Sequence, residues 1–315
     1  MGRYLIDFSK YEIMIYHLNQ MEVIYDYRDQ KECFACCISN SDDILYFGET
    51  AREMITAGMS GNPCLLLNKS SFNEDKAIIE DIKHQLHLMG EEMSSVVLMC
   101  QSEVPDDRLR AVFIKNDIMV EEILFKPLLA EVFYHQIYHH QADHLLVIDL
   151  EINAINLSVV SHAKLVSSQM FEYPSYHAFQ DVMVELLLAK IEDETGFEKD
   201  DIDEDELLMI KKSALGLTEV FNHLEQKKLY LKVNGMMVIL VISRSEFILA
   251  CHQLLISLKK RIQTLLSDDM KIGLAGRYIS HQAIQSFLEE QYADQLLIQE
   301  TNKVYIQGFC WRGEK

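Results

Sequence analysis

Two segments about 140 residues apart repeat one pattern, RYLIDFSKYEIMIYHL from Arg3 and HLLVIDLEINAINLSVV from His144. In each, an apolar strand ends at an aspartate, Asp7 or Asp149, a turn of four or five residues follows, and a second alternating strand returns. Period-2 alternation is the signature of a strand, and two such runs joined by a short connection read as an antiparallel hairpin. A hairpin that occurs twice with an acid at the same place points to a duplicated α/β fold with a facing pair of carboxylates. Such a pair suits a divalent cation carrying phosphates, because hard cations take carboxylate and water oxygens.

The rest of the chain surrounds each hairpin with helices. In the first half, two short strands in residues 31–47 bracket a Ser-Asp-Asp turn, and residues 49–57 and 75–89 read as helices. Ile78, Ile79, Ile82, Leu86 and Met89 recur at helical spacing. A buried strand (94–100), a helix (106–115), a strand (118–121) and a helix (126–138) complete it. After the second hairpin come a helix from 176 to 194, an acidic linker at 198–206 and a helix to about 224. Strands at 229–233 and 236–242 pair through Asn234-Gly235, the strongest short hairpin signal in the chain. Ser243 and Glu246 form a capping box for a helix to 266. A strand at 271–274, a helix from 281 to 292, a strand at 295–299 and a short last helix follow. The expected division is 1–144 and 145–315, two α/β lobes, with the last helix placed to pack back on the first.

With 315 residues, 49% of them hydrophobic, the chain can bury a sizeable core in two domains. A formal net charge of −20 repels nucleic-acid backbones and anionic membrane surfaces, so neither is an expected partner. The longest apolar run, residues 236–242, is far too short to span a bilayer, and the N-terminal residues show no secretory or myristoylation pattern. Seven scattered cysteines read as reduced thiols, which suits a cytoplasmic protein.

Several residue groups invite a chemical reading. Cys33, Cys36 and Cys37 include C-x-x-C spacing, but no second pair follows at zinc-site distance, and in a strand they act as small apolar residues. His135 with His139, and His140 with His144, have i,i+4 spacing without an evident third ligand. The acidic linker lacks the glycine and the terminal glutamate of a calcium loop and reads as a solvated connector feeding a helix N-terminus. Gly273 and Gly276 stand where a backbone could approach a ligand, or where an ordinary tight turn needs them.

Taken in order, these segments resemble the actin-like ATPase superfamily, and within it the ATPase domain of the seventy-kilodalton heat-shock chaperones. LIDFSKYEIMI is similar to the first phosphate motif and VIDLEINAINLSV to the second. FGETAREMI, NPCLLLNKSSF, VVLMCQSEVPDDRLRAVF and VEEILFKPLLAEVFY resemble intervening segments, and IGLAGRYISHQAIQSFL and NKVYIQGFC the adenosine motif and the helix after it. The resemblance covers residues 3 to about 312. It implies an actin-like, ribonuclease H-like duplicated, two-lobed α/β fold. The nucleotide cleft it implies is lined by Asp7, Ser9, Lys10, Lys69, Asp149, Asn153, Gly273 and Gly276.

The departures from the family are chemical. Its phosphate turns carry glycine with serine or threonine, whereas here they read Phe8, Ser9, Lys10, Tyr11 and Leu150, Glu151, Ile152, Asn153, Ala154, with no glycine. Side chains then fill the space that backbone N–H groups need to reach phosphate oxygens. The family's catalytic glutamate falls on Lys126, beside Pro127, and a cation cannot accept a proton from attacking water. The Glu-x-x-Lys pair that flanks adenosine falls near Thr218 and Phe221. Asp7 and Asp149 are then open to a structural role, with Lys10 or Lys126 as an internal counter-charge. The expectation is a protein without ATP hydrolysis and with no cofactor, acting through protein partners that present basic surface. Its rivals are a divergent ATP switch, in which Asp7 and Asp149 hold Mg²⁺ through waters and Lys10 or Lys69 replaces lost donors, and a small-molecule kinase of the same superfamily.

Overall fold

The computed structural model describes residues 2–9, 12–20, 22–28, 30–41, 44–57, 64–65, 70–101, 107–138, 144–152, 154–279, 281–297 and 303–312. They form a mixed α/β fold that divides into two units, Met1–Leu129 and Ala130–Lys315.

The first unit begins with β1 (Gly2–Phe8), β2 (Glu12–His17), β3 (Val23–Ile24) and β4 (Phe34–Ala35). A small sheet of β5 (Cys37–Ser41), β6 (Ile44–Phe47) and β7 (Cys64–Leu65) follows, with α1 (Gly48–Ala57) between its last two strands. Then come α2 (Phe72–Leu88), β8 (Met93–Cys100), α3 (Asp107–Lys115), β9 (Met119–Phe125) and the start of α4 (Lys126–Tyr138). The main sheet has the order β3-β2-β1-β8-β9, with β4 added against β2. β1 runs antiparallel to β2 and parallel to β8, and β8 is parallel to β9. Tyr4, Leu5 and Ile6 of the central strand are all buried, as a strand covered on both faces requires. One face carries Tyr4, Ile6, Phe8, Ile13, Ile15, Val96 and Leu98 into a core with Ile78, Ile79, Ile82 and Leu86 of α2 and Leu109, Val112 and Phe113 of α3. Strand alternation places Asp7 on the other face. The helical spacing read along α2 is therefore its buried stripe, and Ser71 and Glu74 cap its N-terminus reciprocally.

The second unit repeats this plan. Its sheet strands are β10 (His144–Leu150), β11 (Ile155–Ser161), β12 (Lys164–Phe171), β15 (Lys271–Ala275) and β16 (Leu296–Leu297). They are ordered β12-β11-β10-β15-β16, with the same succession of two antiparallel and two parallel pairings. Between β12 and β15 lie α5 (Tyr176–Thr195), α6 (Glu204–Val220), the hairpin β13 (Gln226–Val233) and β14 (Met236–Ser243), α7 (Arg244–Ala250) and α8 (His252–Gln263). Helices α9 (Gln282–Tyr292) and α10 (Val304–Trp311) complete it. The two leading hairpins agree residue for residue. Asp7 stands opposite Met14 and Asp149 opposite Asn156, and the last pairs before the turn are Phe8 with Ile13 and Leu150 with Ile155. Each turn is closed by the same main-chain bond, Ser9 N–H to Glu12 O at 2.9 Å and Glu151 N–H to Ala154 O at 2.8 Å.

Three features differ from the sequence expectation. Strand β12 is absent from it, because KLVSSQMF is a polar edge strand with three consecutive exposed residues and no clean alternation. Its connection to β11 also lacks glycine, since His162 and Ala163 themselves adopt φ of 52° and 58°. The helix expected up to residue 266 is interrupted at Cys251, whose ψ of −2° separates α7 from α8. The division between units falls inside α4 rather than at residues 144/145. From Ala130 onward that helix packs within the second unit: the Tyr134 hydroxyl donates to Leu274 O at 2.5 Å, and Phe133 stacks on Trp311 of α10. Among the described residues no helix is long and apolar enough to cross a membrane.

Two glycines should respond oppositely to alanine. Gly235 sits at φ +75° in the β13–β14 turn, so Gly235→Ala is expected to cost roughly 1 kcal/mol or somewhat more in urea unfolding. Gly216 lies on the exposed side of α6 with open space around an added methyl, so Gly216→Ala should stabilise by about 0.5–1 kcal/mol.

Candidate functional site

In the first unit, β1 carries Asp7 to the turn, and the first residue of α4 meets it there. The Lys126 ammonium forms an ion pair with Asp7 Oδ1. The lysine side chain is only 5% exposed and that of Asp7 18%, so the contact is largely shielded from solvent. An ion pair removed from water is held by geometry and mutual attraction, and losing one partner strands the other charge. Ser9 turns inward as well: its hydroxyl donates to Glu12 O and accepts from Glu12 N–H, both at 3.0 Å. Its polar capacity closes the turn. Lys10 and Lys69 lie outside the described residues.

In the second unit Asp149 is 2% exposed. The Tyr305 hydroxyl of α10 donates to Asp149 Oδ2 at 2.6 Å. On the other side, the backbone of Gly276 presses against the carboxyl group. A methyl at Gly276 would overlap Asp149 Oδ1 and stand 2.7 Å from Cγ, and the residue holds φ +87°. Gly273 has an equally local reason: a methyl there would lie 2.5 Å from Tyr134 Cε2, beneath the ring that reaches Leu274. Both glycines of the segment IGLAGRYIS thus make room for the chain's own side chains. Asn153 lies outside the described residues.

The second turn spends its carbonyls on α5. Glu151 O accepts from Tyr176 N–H at 3.2 Å and Ile152 O from His177 N–H at 2.9 Å, while Ser175 Oγ accepts from Ala178 N–H at 3.4 Å. These are the donors that make a helix N-terminus attractive to anions, and here they are committed within the protein. The side chains of Leu150, Ile152 and Ala154 are buried.

Thr218 and Phe221 are fully buried, beside a cluster that the sequence reading did not assemble. Tyr176 stacks on Tyr278 with ring centroids 4.2 Å apart, and its hydroxyl lies 3.3 Å from Thr218 Oγ1. His281 is enclosed by Tyr176, Phe179 and Phe247, and Phe247 packs on Phe221. Burial holds the His281 pKa down at about 4, partly offset by the Thr218 backbone. That backbone lies near the ring without giving either ring nitrogen a hydrogen bond of normal geometry. The residues concerned come from α5, from α6 and the turn after it, from α7 and from the segment before α9, and of them only Thr218 and Phe221 had been singled out beforehand, through the resemblance.

The remaining candidates are structural. Cys33, Cys36 and Cys37 are buried thiols outside any disulfide. Burial pushes Cys37 up to about 12 and Cys36 well above its ordinary value, so both are protonated and unreactive at neutral pH. In the acidic linker, Asp201 accepts from Glu198 N–H at 2.9 Å and Asp203 from Glu206 N–H at 2.8 Å, so these carboxylates cap local turns. His139 and His140 fall outside the described residues. Among the described residues no group of three or more His, Cys, Asp or Glu side chains is arranged to hold a metal ion.

Gly276→Ala should combine a strained left-handed backbone with loss of the Asp149–Tyr305 contact, a destabilisation of roughly 3 kcal/mol, read from denaturant midpoints. His281 gives a pH signature of definite sign. The unfolded ring takes up a proton near pH 6.5 and the folded ring only near 4, so the unfolded state binds more protons in between. Its contribution is complete above pH 6.5 and is lost as pH falls towards 4, by roughly 3 kcal/mol in all. Urea titrations at pH 7.5 and 5 should show about 2 kcal/mol of this loss in the natural protein, and His281→Gln should lack it.

Neither a protein-family model nor a curated protein matches this chain, so the residues themselves carry its functional reading.

Proposed function

We propose that this chain is a catalytically silent member of the actin-like fold, built like the ATPase domain of the seventy-kilodalton heat-shock chaperones and acting through protein–protein contacts. On this reading it serves as an adaptor, scaffold or regulatory subunit in the cytoplasm. The fold half of the reading is supported by the two sheets of equal strand order, each led by a hairpin with an aspartate at the same register position. A duplicated sheet of this kind is what the resemblance implies. The buried thiols suit a reducing compartment.

The functional half is carried by one observation: both aspartates already have partners inside the protein. A Mg²⁺-bound polyphosphate needs water-bearing carboxylates and a lining of free N–H donors. Here Asp7 is paired with a buried ammonium, and Asp149 is closed by Tyr305 and the Gly276 backbone. The N–H groups at the start of α5 are taken by the turn that would have to release them. Where the resemblance would put a purine clamp, Thr218 and Phe221 are packed beside stacked tyrosines. These residues do not fit Mg-ATP, and Lys126, as a cation, cannot serve as general base. Fold and function separate readily in this way, because a packed core survives the loss of a site.

Isothermal titration with Mg-ATP and Mg-ADP, together with a phosphate-release assay, tests the proposal. The expected result is no binding heat and no release above buffer. Micromolar binding with turnover would overturn it, and binding without turnover would favour the ATP-switch alternative.

A further inference from the structure

The hairpin β13–β14 stands alone as a two-stranded sheet. Its inner face buries Leu231, Val233, Val238, Leu240 and Ile242. Its outer face sets Tyr230 opposite Ile239, Lys228 opposite Val241 and Lys232 opposite Met237. Met237, Ile239, Val241 and Tyr230 on that face are between 48% and 65% exposed, an apolar stripe of the kind that marks an interaction surface.

The two free edges differ. β13 carries Lys227, Lys228 and Lys232, the usual protection of an edge strand against pairing. β14 reads MMVILVIS and carries no charge. Apart from the ladder to β13, no backbone hydrogen bond of Met236–Ile242 is found among the described residues, so the outward N–H and C=O groups of β14 are available.

We infer that β14 pairs antiparallel with β14 of a second copy of this chain, about a twofold axis, giving a continuous sheet β13-β14-β14-β13. Charge selects this occupant. The chain as a whole carries −20, yet the hairpin contains three lysines and no acid, and carboxylates at its two ends are held within the protein, Glu206 by the Asn234 N–H and Glu246 by Ser243 and Lys190, so it is where two copies meet with little acidic charge between them. Pairing through β14 puts an uncharged strand against an uncharged strand. The lysine-bearing β13 strands then lie three strand spacings apart, about 14 Å. That exceeds a Debye length of about 8 Å at physiological salt, so their mutual repulsion is screened. An isologous contact of this type closes on itself and yields a dimer rather than a filament. Because the two molecules repel at long range, added salt should tighten the dimer, opposite to the response of a charge-steered complex between unlike proteins.

The test is sedimentation or light scattering of the full chain over a range of micromolar concentrations, at low and high salt. The expected mass at the upper end is twice the 36.6 kDa of one chain, with association favoured by salt. The variant Ile239→Lys/Val241→Gln places an ammonium group and an amide beside the axis at positions already exposed in the monomer, without setting a like charge opposite Lys228, and its mass should fall by half while its circular dichroism and melting temperature stay near those of the natural protein. Hydrogen exchange supplies a second readout: amides of β14 should become protected as concentration rises. A monomer at all concentrations, a larger polymer, or a dimer whose mass and β14 exchange ignore the double substitution would each overturn the inference.

Discussion

A carboxyl group taken out of water must be answered by something, and this protein answers both of its strand-end aspartates from its own chain. The requirement is strict because an uncompensated buried charge costs several kcal/mol, a large part of the net stability of a domain. It links distant parts of each unit. Asp7 ties β1 to the first turn of α4 through Lys126, and Asp149 ties β10 to α10 through Tyr305, 156 residues along the chain. The solutions are chemically different at equivalent positions, one a full cation and the other a phenol with a glycine backbone. Two copies of one hairpin have therefore been completed by unrelated sequence.

How much of this was legible beforehand follows from the range of the interactions. The hairpins, the buried stripe of α2, the Asn234-Gly235 turn and the Ser243–Glu246 cap are set by residues within a few positions of one another, and their patterns point the same way. The partnership of Lys126 with Asp7 was open as one of two choices, because the resemblance puts the lysine in the place of a residue that would face the same turn. Tyr305 gave no such sign. It sits in an apolar stretch, VYIQGFCW, where a tyrosine reads as core. Gly273 and Gly276 were visible as glycines, but sequence alone could not tell whether the vacant space admits a ligand or a neighbour's side chain. The structure puts the Tyr134 ring against one and the Asp149 carboxyl against the other. Strand β12 was missed for a local reason: its turn takes positive φ with histidine and alanine, without glycine or asparagine to announce it.

On the proposed reading, the same residues account for a chain that keeps a nucleotide-binding plan without the chemistry. Anion binding at a strand–turn–helix junction depends on donors left unused. When the turn's carbonyls satisfy the first N–H groups of α5, that junction becomes an ordinary capped helix, and its stability no longer depends on a ligand. On that reading what the protein offers to others is its surface, of which the uncharged β14 edge is a part.

The bond that closes each leading turn joins backbone to backbone, from the N–H of its first residue to the carbonyl three residues on, and in the first turn the Ser9 hydroxyl reinforces it. The same closing bond forms at Ser9, whose hydroxyl joins it, and at Glu151, so the register of the two hairpins agrees although the residues at their turns differ. Two turns of unlike side-chain chemistry thus rest on one and the same strand alignment.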